Sequence, residues 1–216
     1  MFGKNIFPTT RWDTALNASH MRPNYQPLEY LIAGGYISEI VRLIMVEAAD
    51  TAGLYWGQLP QSLRTIYSLD TRTLAMIELD TTPFLMASRS MLREKHASRN
   101  APSYSDAEFI RAVTRRVTSR SIAYFTAGVH ALSSLLEELD VEAGLPNPLD
   151  HISIGCDGSI INKYPGYMAR AQAGLDELRK QEGSRRKKII LEETQNSAVL
   201  GAGVAAAMAG MSSHIA

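Results

Sequence analysis

The stretch Ile154-Gly155-Cys156-Asp157-Gly158-Ser159-Ile160-Ile161-Asn162-Lys163-Tyr164-Pro165-Gly166-Tyr167 decides how this chain is read. Residues 151–156 alternate polar and apolar side chains, as a half-buried strand does. Asp157-Gly158 is a turn signal, and the apolar pair after it predicts that residues 159–162 return as the second strand of a hairpin. A glycine lets backbone N–H groups approach an anion, and the Ser159 hydroxyl adds a donor, so this turn can form a phosphate-binding nest. Asp-Gly is also an ordinary hairpin turn, and the triplet by itself does not choose between the two.

Downstream, Pro165 suits a first helical turn. Met168, Ala171, Leu175 and Leu178 mark one face of a helix of about 17 residues that Gly183 would cap. The basic run Arg185-Arg186-Lys187-Lys188 reads as solvated loop charge ahead of a strand over 189–192. The final apolar stretch, residues 199–211, is rich in Ala and Gly and falls short of the ~20 residues that span a bilayer. A buried helix is expected there. Gly201 and Gly203, following Asn196-Ser197, either face a phosphate at the start of that helix or let it pack closely.

Upstream, the segment 144–150 carries two prolines and a glycine and marks a boundary. The pattern before it is helical. From Ser105 to about Leu139, Ile110, Val113, Val117, Tyr124, Leu132 and Leu135 trace an apolar stripe, with Ser105 and Glu108 at capping-box spacing and Asp106 suited to the positive end of the dipole. Arg115, Arg116 and Arg120 are assigned to a solvated face. Residues 60–96 read as short helices punctuated by Pro60, Asp70-Thr71 and Pro83, with Leu74, Ile77 and Leu85 in the core. Residues 21–53 read as one helix with Gly34-Gly35 inside it, where each glycine costs about 1 kcal/mol relative to Ala. A break or a close backbone approach is expected there. Gln26 and Glu29 stand one turn apart and could clasp vicinal hydroxyls, since a carboxylate accepts two hydroxyl protons at once; a surface glutamate near a helix start gives the same spacing.

Lys plus Arg and Asp plus Glu both number 22, so no chain-wide attraction to nucleic acid or to an anionic membrane is implied. The one cysteine, Cys156, excludes an internal disulfide framework and fits a reducing, intracellular compartment. No Cys/His cluster has metal-ligand spacing. The N-terminus lacks the apolar run of a signal peptide. The length, 216 residues, fits one domain with a sizeable core.

Three segments together resemble the hexokinase family, over nearly the whole chain. Residues 26–42, from Gln26-Pro27-Leu28-Glu29 through Gly34-Gly35-Tyr36 to Glu39 and Arg42, are similar to the family's stretch in which Gln and Glu touch the sugar and a Gly one turn later lies near the nucleotide. Residues 67–80, containing Asp70-Thr71, resemble the segment whose Thr contacts ATP. The stretch quoted first is the most specific match, and in the family the Gly and the Ser or Thr of that turn hold the nucleotide. The resemblance implies an α/β fold of the actin-like ATPase (ribonuclease H-like) class, here the large-lobe portion with long helices, one C-terminal domain over 1–216 that is incomplete on its N-terminal side. It implies a cytoplasmic enzyme that uses Mg-ATP to phosphorylate the 6-hydroxyl of a hexose, glucose first among candidates. Gln26 and Glu29 would bind the sugar; Gly34, Thr71, Asp157, Gly158, Ser159, Asn196 and Ser197 would bind the nucleotide.

Two departures stand out. The family's glycine turn for phosphates, its Thr-Lys sugar segment and its catalytic Asp have no counterpart in these residues, so no catalytic base is assigned and the chain alone is expected to be inactive. The missing part is expected to leave an exposed face prone to self-association. Near the end, where the family usually has Asp-Gly-Ser-Gly before Gly-Ala-Ala, this chain reads Thr194-Gln195-Asn196-Ser197-Ala198-Val199-Leu200-Gly201-Ala202-Gly203. A non-catalytic, hexokinase-like regulatory or sugar-sensing protein and a kinase for N-acetylglucosamine are the alternatives.

Overall fold

The computed structural model describes residues 7–144, 150–183, 186–194 and 197–212. They fall into two compact units, residues 1–127 and 128–216.

The first unit is helical. Helix α1 (Arg11–Ser19) starts with a reciprocal box in which Asp13 N–H donates to the Thr10 hydroxyl and Thr10 N–H to the Asp13 carboxylate. Asp13 is fully buried, and its two oxygens accept from the two Nη groups of Arg120 at 2.7 Å each. That pairing corrects the assignment of Arg120 to a solvated face: a buried carboxylate needs a charge partner, and Arg120 supplies it.

The single helix expected over 21–53 is two. Helix α2 (Pro27–Ile32) opens with proline at its first position, and helix α3 (Gly34–Ala52) begins after Ala33, which is extended at φ −78° and ψ 143°. The expected break is real and lies one residue ahead of the glycine pair. Ile37, Ile40, Val41, Met45 and Ala48 form the buried face of α3, each large side chain contributing about 1.5–3 kcal/mol. Gly53 ends the helix at φ +75°. Helix α4 (Thr71–Leu79) is capped by Asp70, whose carboxylate accepts from the Thr73 N–H and hydroxyl. Helix α5 (Met86–Lys95) follows, and Leu74, Ile77 and Leu85 are buried as expected.

Helix α6 (Tyr104–Glu142) runs from the first unit into the second. Its capping box is Ser103 with Asp106, two residues before the expected pair: Asp106 N–H donates to the Ser103 hydroxyl and Ser103 N–H returns to Asp106. The other Asp106 oxygen accepts from Tyr55 N–H at 3.0 Å, so the cap also fixes a turn whose Tyr55 and Trp56 have positive φ. Ile110 and Val117 are buried as the stripe requires. Leu132 and Leu135 are not: they stand 70% and 51% exposed, because no described side chain covers that face.

In the second unit strand β1 (His151–Cys156) pairs in parallel with β2 (Lys188–Glu193), in register from His151 opposite Lys188 to Cys156 opposite Glu193. Between them run helices α7 (Ser159–Lys163) and α8 (Tyr167–Glu182). The hairpin expected after Asp157 is therefore wrong. A short apolar run such as Ile160-Ile161 does not distinguish strand from helix, and a parallel partner requires a crossover of about a dozen residues or more. Helix α8 packs on β2, and Ala171, Leu175, Ile189 and Leu191 are all buried. Gln172 completes the joint: its Nε2 donates to Ile189 O at 2.8 Å and its Oε1 accepts from Leu191 N–H at 2.9 Å, covering backbone groups that an edge strand would otherwise leave open. Gly183 ends α8 at φ +86°. The last helix, α9 (Ser197–Ser212), does not meet the expectation of burial, since Val199, Leu200 and Val204 are exposed. No helix among the described residues is long and apolar enough to cross a membrane.

Candidate functional site

In the first unit the candidate residues gather where α2, α3 and α4 begin. Gln26 is the N-cap of α2 and Glu29 lies in its first turn; both are exposed, and no described residue forms an ion pair with the Glu29 carboxylate. Its charge is felt at Tyr36, whose phenol is pushed above the ordinary tyrosine value by burial first and by Glu29 and Tyr30 second. Tyr36 belongs to a polar aromatic cluster: His20 contacts its hydroxyl through Nε2 at 3.0 Å and that of Tyr30 through Nδ1 at 2.8 Å.

Gly34 and Thr71, 37 positions apart, meet directly. The Thr71 hydroxyl donates to Gly34 O at 2.8 Å. Gly34 is the first residue of α3 and Thr71 the first of α4, so one hydrogen bond brings two helix N-termini together. First-turn N–H groups lack intrahelical acceptors, and the dipoles add positive potential there. The arrangement favours an anion.

Glu39 and Arg42 hold this geometry in place, and residue spacing did not assign them a role. Both are buried. Arg42 Nε and Nη2 donate to the two Glu39 oxygens at 2.8 and 2.5 Å, and Arg42 Nη1 donates to Leu63 O at 3.0 Å. Glu39 Oε2 also accepts from Tyr67 N–H at 2.7 Å, at a residue with φ +56°. The pair thus pins the segment that leads into α4 onto α3, and a charge-assisted bond offsets backbone strain at Tyr67. A Glu and an Arg three apart on a helix is a common surface pattern, so only burial reveals the function of this one.

In the second unit the candidates lie at the carboxyl ends of the parallel strands, where open α/β sheets place ligands. Gly158 has φ +156° and ψ 146°, a region reserved for glycine, and turns the chain from β1 into α7. Ser159 is the first residue of α7, exposed. Asp157 and Ser197 are brought together: Asp157 Oδ2 accepts from Ser197 N–H at 2.9 Å and from its hydroxyl at 2.8 Å. Asn196 lies outside the described residues. Asn162, unassigned from sequence, ties the strand ends, its Nδ2 donating to Cys156 O at 3.2 Å, with Thr194 O at 3.5 Å. Asn162 Oδ1 and Thr194 Oγ1 are buried without a hydrogen-bond partner among the described residues. The Cys156 thiol is buried, which pushes it above its ordinary value. Among the described residues no three His, Cys, Asp or Glu cluster as a metal site.

Parallel strands joined through helices, with a long helix preceding them, define the large-lobe portion of an actin-like ATPase fold. Solved structures agree. A Schistosoma mansoni hexokinase complexed with glucose superposes with a TM-score of 0.72 at 22% identity, covering 86% of this chain and 38% of that one. A second hexokinase crystal structure gives 0.69 at 21%, covering 89% and 39%. The family model for hexokinase matches residues 1–208, and the chain belongs to the hexokinase family. Among curated relatives, hexokinase-1 of Schizosaccharomyces pombe is 29% identical over 204 residues, 94% of this chain and 39% of that protein. Hexokinase-2 of Candida albicans is 27% identical over 206 residues, 95% and 40%. The chain spans about two fifths of the length of these relatives.

Proposed function

We propose that this chain carries part of the sugar site and the nucleotide lobe of an ATP-dependent hexose kinase, which moves the γ-phosphoryl of Mg-ATP to the 6-hydroxyl of a hexose such as glucose. The observation that supports it most is the Thr71–Gly34 hydrogen bond, which joins two helix N-termini contributed by two separate family-like segments. In phosphoryl transfer the protein mainly positions groups and stabilises charge. Glu29, with no ion-pair partner among the described residues, would accept hydroxyl protons of the sugar, with Gln26 beside it. Gly34 and the first turn of α4 would face nucleotide oxygens. The Thr71 hydroxyl has one proton, committed to Gly34 O, so a ligand would use its remaining lone pairs or displace that acceptor. Gly158, Ser159, Asp157, Asn196 and Ser197 would line the nucleotide site at the strand ends. Magnesium would arrive with the phosphates, which with water supply most of its ligands.

No residue of this chain is assigned as the base that takes the hydroxyl proton, a role worth about 10² to 10⁴ in rate. The chain alone is therefore expected to show no hexose phosphorylation. The altered segment around Asn196-Ser197 favours a second reading, a non-catalytic sugar-binding regulator; both readings require the sugar site. Calorimetric titration with glucose tests it. Binding that Glu29→Ala abolishes supports the proposal, and binding that Glu29→Ala leaves unchanged would overturn the assignment.

A further inference from the structure

Strand β1 has one paired edge and one open edge. Lys188 N–H donates to Asp150 O, and Thr194 N–H to Cys156 O. In a parallel ladder the backbone groups of every second residue turn to the same neighbour, so those of Ile152 and Ile154 also turn to β2, while the N–H and C=O groups of His151, Ser153 and Gly155 point away from it. None of these outward groups has a hydrogen-bond partner among the described residues. Ser153 and Gly155 are exposed, and at a glycine the exposed surface is the main chain itself.

The outer edge of β2 is treated differently. Gln172 covers it through Ile189 O and Leu191 N–H, and the strand carries Lys188, Glu192 and Glu193. Residues 151–156 contain no Lys, Pro, Asp or Glu, the residues that keep natural edge strands from pairing. An edge of this kind takes up an extended strand through main-chain hydrogen bonds. Its own sequence is a fitting partner. With a second β1 laid antiparallel so that Ser153 stands opposite Ser153, His151 falls opposite Gly155, and each outward residue sits in a pair that exchanges two N–H···O bonds. Ile152 then meets Ile154 of the second copy at the closer spacing of the intervening pairs, an apolar contact made twice. The imidazole of His151 faces a glycine, so no like charges oppose each other within the strand.

We propose that the open edge of β1 is a self-association surface, on which a second copy of this chain adds its own β1 antiparallel about a two-fold axis at Ser153. The contact uses the same patch on both copies and closes on itself, giving a dimer and not a filament. An unrelated extended peptide would meet the same backbone groups without the matched isoleucine pairs. A strand pair alone is smaller than the roughly 800 Å² per partner of a standard interface, so the dimer is weak and forms as concentration rises. Leu132, Leu135, Leu136 and Leu139 of α6 are also exposed, but an apolar stripe fixes no register and leaves the outward groups of β1 unpaired. The surface uses none of the sugar or nucleotide candidates, so it stands or falls independently of the proposed kinase reading.

Sedimentation equilibrium and amide hydrogen exchange on the full 216-residue chain test it, from about 1 μM to about 1 mM, the range of weak specific affinities. A dimer is expected to form across that range. The amides of His151, Ser153 and Gly155 should gain protection in step with it, while those of Ile152 and Ile154 are protected at every concentration. Ser153→Pro removes an outward N–H at the axis without touching the β1–β2 ladder, and Ser153→Lys sets two ammonium groups face to face; each is expected to weaken the dimer about tenfold or more. If Ser153→Pro does not fold, Ser153→Lys, at an exposed side chain, decides alone. Leu135→Glu with Leu139→Glu is expected to leave the dimer intact. The proposal fails if the chain stays monomeric throughout, or if folded Ser153 variants associate as the native chain does. It also fails if only the leucine variant loses association, or if the Ser153 amide exchanges as fast in the associated chain as in the monomer.

Discussion

The Asp157 carboxylate accepts both the N–H and the hydroxyl of Ser197, 40 positions later, and so fastens the turn after β1 to the start of α9. A carboxylate at a helix N-terminus satisfies an orphan donor and meets the positive end of the dipole. Asp157→Ala is expected to cost about 1 kcal/mol and to speed hydrogen exchange in the first turn of α9, with β1 and β2 amides unaffected. Equal loss of protection in the strands would show that the contact supports the sheet instead.

The Glu39–Arg42 pair should behave as a buried ion pair that does more than stabilise. Glu39→Ala leaves the Arg42 charge buried and releases Tyr67 N–H, and is expected to cost about 3–5 kcal/mol in urea unfolding. Replacing both residues with leucine should recover much of that loss while leaving the segment before Thr71 less ordered. A Glu39→Ala cost below about 1 kcal/mol, the level of an exposed pair, would refute the clamp.

How far the sequence reached can be seen residue by residue. The break before Gly34, the strand ending at Cys156, the cap at Gly183 and the core positions Leu74, Ile77 and Leu85 follow from local chemistry: glycine pairs, alternation and periodicity. What failed depends on partners distant in the chain. Ser159 starts a helix because β1 pairs with β2 and not with its neighbour, a fact about residues 188–193. Arg120 looks like surface charge until Asp13 is placed beside it, and Arg179 and Glu39 show nothing unusual until their burial is known. Of the candidate site, the residues of the motifs were legible, while the supporting contacts through Glu39, Arg42 and Asn162 were not.

Asp80 gives a pH signature. Burial works to raise its carboxyl, but hydrogen bonds from the hydroxyls and N–H groups of Ser88 and Thr82 outweigh it and hold the group at about 2, below the usual 3.8. A folded-state value below the unfolded one means stability that is complete above the unfolded value and lost as pH falls toward about 2. Melting temperature should therefore drop between about pH 4 and 2, and Asp80→Asn should flatten that part of the profile while lowering stability at neutral pH. An Asp80→Asn profile parallel to the wild type would assign the acid sensitivity to other carboxylates.

Gly155 and Gly158 are constrained for different reasons. A Cβ on Gly155 would lie 3.0 Å from Thr194 Cγ2, which a small shift of that side chain can relieve, whereas Gly158 has φ +156° with only Ile161 Cγ2, at 3.8 Å, near its Cβ position. Backbone strain, not space, excludes a side chain at 158. Gly158→Ala is expected to cost about 1–3 kcal/mol and more than Gly155→Ala in thermal unfolding. The reverse order would mean that contact with Thr194 governs this end of the sheet.

The most direct test of the account is equilibrium binding of Mg-ATP to this chain by calorimetry, compared with Thr71→Val. The hydroxyl that joins α4 to α3 is removed at nearly constant volume, so a folded variant separates positioning from packing. The account predicts saturable binding by the native chain, weakened about tenfold, or about 1.4 kcal/mol, in Thr71→Val with little change in melting temperature. Absence of Mg-ATP binding by the folded native chain, or equal affinity of the two proteins, would contradict it.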